Sequence, residues 1–542
     1  MVGTEETVFF NGKVITLNST DDIVEAISVR NGRISRVGSN AEIKAAAGDT
    51  SSLIDLQGKT MLPGFIDSHC HLAKAARAYT HYVDGRCPPN KSMHDILERI
   101  SQRAQEIPKG EWIIVQGSHF GSKKLKEKRY PMKEELDLVA PQHPVLIIDS
   151  RHSFILNTLA LKINNIEREG QGSIKGKIER DKITGEPTGI CTECPEIFPD
   201  YEFDLGELKE ELKVVMREKW VQQGFTSAYT NTDKLELRAH QELLVENDLP
   251  LRLQTIVFDN DKRPDLLNDM IKLGIVTGFG NEWLKIGGIK FFIDGALMGL
   301  SAATRQPYLN VSDSDYCGEV LLDPEFLNEL ILRAHRAGIQ VCLHAMGDKA
   351  QDMALDAYEN ALNIDPSPHR HRIEHFGCDL GSPEHRRRAR EMNIVPNITI
   401  GWLYTYGDFF EYYLGRSRKD ESFALRSMLE AGLKPANSSD ETGTDWHTLD
   451  PFFSIWVAVT RQTFFGSQFV PEQAISVKEA LRLWTVNAAY SGFEEKVKGS
   501  IEPGKYADLI VISKDILTIP ENQIKDIKVE KTIIDGKIVY KR

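Results

Sequence analysis

The segment Met61-Leu62-Pro63-Gly64-Phe65-Ile66-Asp67-Ser68-His69-Cys70-His71 decides the fold. It is an apolar run of strand length that ends in two histidines two residues apart. On a strand, residues i and i+2 point to the same face, so both imidazoles project together. Working outward, the run from Met61 to Ile66 is the first of eight candidate strands; the others lie near Gly224 to Thr230, Leu251 to Phe258, Ile286 to Phe292, Ile339 to Leu343, His371 to Glu374, Ile394 to Ile398 and Pro435 to Ser438. Longer segments of helical period separate them, which predicts βα units and a parallel sheet. Eight such strands predict a (β/α)8 TIM-like barrel, whose functional groups gather at the carboxyl ends of its strands. Three further strand ends carry candidates: His344 after Val341-Cys342-Leu343, His375 after Arg372-Ile373-Glu374, and Asp440 after Asn437-Ser438-Ser439. A histidine pair alone is more often an ordinary polar strand end. Five converging polar groups need a shared partner, because buried polar atoms are rarely left unpaired. A borderline-soft divalent cation, zinc first, is the simplest one.

The gap between the first two strands is too long for one crossover, so residues from about 73 to 219 are expected to hold an inserted subdomain, with strands at Trp112 to Gln116 and Val145 to Asp149. The first sixty residues alternate apolar and polar positions around Asn11-Gly12 and Asn31-Gly32, and the far end does so around Asp535-Gly536. Both ends are therefore expected to build one small β-sandwich domain, residues 1–60 and 495–542, around a catalytic barrel at 61–494.

The balance of 66 basic and 79 acidic residues gives a net charge of −13, which argues against a nucleic-acid surface and against anionic membranes. A small-molecule substrate is the default. No apolar run reaches membrane-spanning length, and the polar, acidic start Met1-Val2-Gly3-Thr4-Glu5-Glu6 lacks signal-peptide character, so the expected location is cytoplasmic. Seven scattered cysteines read as reduced core residues; Cys191 and Cys194 form a CxxC, but no second pair accompanies it.

The segments PGFIDSHCHL with His69 and His71, LHAMGDKA with His344, HRIEHFG with His375, NSSDET with Asp440 and the closing GSIEPGKYADLIVI resemble the amidohydrolase superfamily and, within it, the YtcJ-like branch that includes N-substituted formamide deformylases. The resemblance spans nearly the whole chain. It implies a metal-dependent hydrolase of C–N bonds, with Asp440 both a metal ligand and the general base and acid that moves the proton. It also implies a role for Lys290 at the end of the fourth strand, where a lysine in related enzymes is carbamylated and bridges two metals. The resulting expectation is one or two divalent ions: His69, His71 and Asp440 on one, His344 and His375 on the other, and carbamylated Lys290 between them. His152 and Glu193 match family positions that face substrate, though a structural histidine and a simple salt bridge are the plainer readings. Asp294 and Asp348 are candidates to support the metal histidines, a helix cap being the more ordinary role for Asp348.

One segment departs from the family pattern. Trp402, Tyr404 and Tyr406, followed by Phe409, Phe410, Tyr412 and Tyr413, come after the seventh strand, where loops shape the pocket. Trp402 and Tyr404 are candidates to bind an aromatic or apolar group, while packing of the barrel rim is their commoner fate. Two alternatives stand beside the amide hydrolase. A heterocycle deaminase usually has a glutamate soon after the strand-five histidine, where this chain reads Ala345-Met346-Gly347-Asp348. A non-catalytic metal-binding regulator is the other, because a fold does not fix a function. A homodimer would be ordinary.

Overall fold

The computed structural model describes residues 6–150, 153–167, 170–171, 176–192, 194–198, 204–258 and 265–542. Eight strands form one parallel sheet in chain order: β1 Phe65–Cys70, β2 Phe225–Thr232, β3 Arg252–Val257, β4 Leu284–Phe292, β5 Val341–His344, β6 Arg372–Glu374, β7 Val395–Ile398 and β8 Ala436–Asn437. The seam between β8 and β1 is bridged where Ser68 Oγ donates to the Asn437 carbonyl at 2.7 Å and Asp440 N donates to the His69 carbonyl at 3.0 Å. The result is a nearly closed TIM-like barrel. Helices cover its outer face, so its strands are buried on both sides and read as apolar runs.

The single strand expected from Met61 to Ile66 is in fact two. Thr60–Pro63 belongs to a six-stranded sheet, pairing with Lys13–Ile15 and with Leu509–Ile512, and the barrel strand starts only at Phe65. The chain crosses between sheets at Gly64, where a β-carbon would lie 2.3 Å from Thr226 Cγ2. Only glycine fits so close an approach.

That six-stranded sheet joins both chain ends: Val529–Ile534 and Lys537–Lys541 extend it on one side and Ile23–Val24 on the other. A four-stranded sheet holds Arg33–Gly38, Ala26–Arg30, Glu6–Phe10 and Ser52–Asp55. Both sheets feed one apolar cluster that includes Phe9, Ile27, Met61, Leu509, Val511 and Ile533. Asn31-Gly32 and Asp535-Gly536 are hairpin turns with positive φ at both residues, as a two-residue I′ turn requires. Asn11-Gly12 is not a hairpin. Its flanking strands lie in different sheets, only Asn11 has positive φ, and Gly12 N donates to the Glu25 carbonyl.

The insertion carries a six-stranded sheet of its own, in the order Lys177–Arg180, Pro187–Thr192, Ser153–Leu156, Val145–Ser150, Ile113–Gln116 and Val83–Asp84. Alternate residues serve opposite faces: Ile113, Val115, Val145 and Ile147 pack in one cluster, and Ile114, Leu146 and Ile148 in another. No helix among the described residues is long and apolar enough to cross a membrane.

Barrel and terminal sheet are tied by a buried ion pair. Arg252 on β3 donates from Nε to Asp508 Oδ2 at 2.8 Å and from Nη2 to Oδ1 at 3.3 Å. Removing one partner of such a pair strands a desolvated charge, which costs about 3–5 kcal/mol. Arg252→Ala is therefore expected to lower the thermal midpoint markedly; a melting curve matching the wild type would show that the pair does not bind the two parts together.

Candidate active site

His69 is the penultimate residue of β1 and His71 directly follows that strand, His375 directly follows β6, and Asp440 lies in the turn after β8. The last two are held in left-handed backbone, with φ of 63° and 45°. Such a conformation costs a non-glycine residue roughly 1–3 kcal/mol and persists where the surroundings enforce it. Here it turns both side chains toward β1. Asp440 Oδ1 lies 3.2 Å from His69 Nε2 and 3.3 Å from His71 Nε2, and its Oδ2 lies 3.9 Å from His375 Nε2. The His375 ring is 5.2 Å from that of His69 and 4.8 Å from that of His344, centroid to centroid. Lys290, buried near the end of β4, places Nζ 3.4 Å from His69 Nε2. All six side chains expected at the centre are thus brought together.

The hydrogen-bond chemistry fixes which nitrogens face inward. His69 Nδ1 lies 2.8 Å from Glu374 Oε2. With Nδ1 turned to that carboxylate, Nε2 turns to the centre, where the Asn231 Nδ2 donor meets it at 3.0 Å. Glu374 is itself held by Arg372 at 2.8 and 3.0 Å and by Asn397 Nδ2 at 2.6 Å. Burial would raise its carboxyl, but Arg372, His69 and Lys290 together outweigh that and keep it well below the usual carboxylate range. For His344, Nε2 donates to the Gly295 carbonyl at 3.0 Å, which leaves Nδ1 as a buried lone pair with no partner. His375 Nδ1 and Asp440 Oδ1 also lack hydrogen-bond partners. Asn231 on β2 points its donor Nδ2 at the Nε2 atoms of both His69 and His71, at 3.0 and 3.2 Å, as suits two acceptors.

Acceptors therefore face acceptors across a buried space. Ligand atoms of His69, His375 and Asp440 all lie within 4.8 Å of one another. A divalent cation satisfies this set, and the nitrogen and carboxylate donors are those zinc takes. Burial lowers the His344 pKa to about 3 and brings that of Lys290 down to about 8, the latter against the opposing pull of Glu374 and Asp440.

Trp402, on the helix Gly401–Tyr406, stacks on His375 at 4.9 Å and borders the centre. Tyr404 does not reach it. Two residues along a helix are about 200° apart, so the two rings leave opposite sides, and Tyr404 packs instead with Phe453, Trp456, Phe464 and His447. His152 and Glu193 lie outside the described residues. Asp294 takes the backbone N–H groups of Met346, Gly347 and Ala303 and so shapes the turn after His344, while Asp348 accepts from Arg305 N. Glu374 and Asn231 are the residues that reading the sequence misses. The alternation Arg372-Ile373-Glu374 was a usable signal, since it puts opposite charges on one face of a strand at a buried position; an amide such as Asn231 leaves none.

A model of the amidohydrolase family matches residues 52–540, and the chain belongs to that family. It is 30% identical to an N-substituted formamide deformylase of Arthrobacter pascens, covering 100% of this chain and 99% of that protein. It is 27% identical to the amidohydrolase YtcJ of Bacillus subtilis, covering 99% and 100%. In fold it is similar to the solved structure of an uncharacterized metal-dependent hydrolase from Pyrococcus horikoshii, with a TM-score of 0.75, 23% identity, and 96% of this chain and 99% of that one covered.

Glu374→Gln removes the anion that faces His69 Nδ1 and balances Arg372. Metal affinity is expected to fall by about 10–100-fold, the usual effect of losing such a support. Competition titration with a zinc chelator checks this, and unchanged affinity would refute the orienting role.

Proposed function

We propose that the protein hydrolyses the C–N bond of a small N-substituted amide, formamides first, in the cytoplasm and as a homodimer. The observation that carries this reading is the convergence of ligand atoms of His69, His375 and Asp440 within 4.8 Å of one another at the barrel mouth. His69, His71 and Asp440 would hold one divalent ion, zinc first, and His344 and His375 a second. A cation bound there supplies Lewis acidity, acidifying water and polarising a carbonyl oxygen. Asp440 takes a proton from the water that adds to the carbonyl carbon. The C–N bond then breaks as Asp440 returns that proton to nitrogen, leaving a carboxylic acid and an amine. In the binuclear form, Lys290 carbamylated by carbon dioxide, with loss of a proton, would supply an anionic oxygen donor to the ions.

A panel of N-alkyl and N-arylalkyl formamides is expected to yield formate and amine, with activity lost to chelator and restored by zinc. Asp440→Asn is expected to reduce kcat by about 10²–10⁴-fold, the weight of a positioned acid–base group. Wild-type turnover in that variant would sink the assignment. Metal analysis with intact-mass measurement tests the binuclear form; one ion per chain without the added mass of carbon dioxide would overturn it.

A further inference from the structure

The insertion delivers one residue to the centre that the chemistry above leaves unused. After the strand Ile113–Gln116, the chain passes through Gly117 and Ser118 to His119, which keeps only 6% of its surface open. Its Nδ1 is hydrogen-bonded to Oδ2 of Asp445, a buried residue of the loop after β8. Lys124 Nζ donates to the His119 carbonyl at 3.0 Å. Next to it, Phe120 stacks on Phe409 at 4.5 Å, which seats this loop on the barrel rim. The His119 ring meets Trp402 edge-on at 5.8 Å, and Trp402 stacks on His375. His119 therefore stands one ring away from a metal-facing histidine.

Asp445 accepts, so Nδ1 donates, and in the neutral ring Nε2 carries the lone pair. Nε2 has no protein partner among the described residues. A purely structural link between insertion and barrel would be complete with Nδ1 alone. A ring oriented by Asp445, with its second nitrogen claimed by no described residue and an aromatic face beside it at the edge of the centre, is a recognition element.

We propose that His119 is a specificity-determining residue whose Nε2 accepts a hydrogen bond from the N–H of a secondary amide, with the amide's apolar N-substituent lying against Trp402. This rests on the amide-hydrolase reading. It assigns the insertion a function: supplying the group that distinguishes secondary from tertiary amides, with Asp445 as the positioning residue behind it.

The test compares N-phenethylformamide with N-methyl-N-phenethylformamide, which lacks the N–H, on the zinc-loaded full-length protein. Affinity is read by calorimetry and, where turnover occurs, specificity as kcat/KM. Wild type is expected to prefer the secondary compound by about 10-fold, the effect of one hydrogen bond in such a site. His119→Ala should bring the ratio close to one with zinc content unchanged, and His119→Gln, which offers a carbonyl oxygen, should restore part of it. If His119→Ala does not fold, Asp445→Asn carries the test, with the ratio expected to fall several-fold. No binding of either compound, no preference in wild type, or a preference that survives these substitutions would overturn the proposal. Binding with preference but without amine release would uphold it while refuting formamide hydrolysis.

Discussion

A largely buried carboxylate crowded by imidazoles is the constraint on which this molecule turns. Asp440 lies within 4 Å of three imidazoles, and His69 turns Nδ1 to Glu374 and Nε2 to the centre. Taking an anion out of water is costly unless it is paired. Lys290 supplies one nearby ammonium and Asn231 one amide, but neither satisfies the whole set. A multivalent cation does. The same crowding explains why Asp440 and His375 tolerate left-handed backbone, since relaxing either would carry its side chain away from the shared partner.

Support for the centre comes from two layers of the fold. Beneath it, Arg372 and Glu374 cancel each other's charge inside the barrel and aim His69, with Asn397 and Ser68 closing the network. Around it, the insertion docks through Phe120 and brings His119 to Trp402, so that a segment separate from the barrel contributes a wall. The terminal sheets stand further off and act through Arg252 and Asp508, holding β3 in place.

Much of this was legible in the amino-acid order because it rests on short-range rules. Apolar runs of strand length, with polar groups at their ends, point to eight strands and to His69, His71, His344, His375 and Asp440, while Lys290 follows from the family resemblance alone. What stayed hidden depends on three-dimensional neighbours. The crossing at Gly64 is set by Thr226, far along the chain, so the run from Met61 reads as one strand although it serves two sheets. Asn11-Gly12 has the composition of a hairpin, yet its two strands find different partners. Trp402 and Tyr404 look equivalent until the helix that carries them separates their directions. The pairing of His119 with Asp445, 326 residues apart, leaves no local trace at all.

X-ray absorption at the zinc edge of the loaded protein tests the central claim most directly. The account predicts nitrogen and oxygen neighbours at about 2.0–2.2 Å with the multiple-scattering pattern of several imidazoles. A sulfur shell at about 2.3 Å, as Cys191 and Cys194 would give, or a spectrum with no imidazole contribution would contradict it.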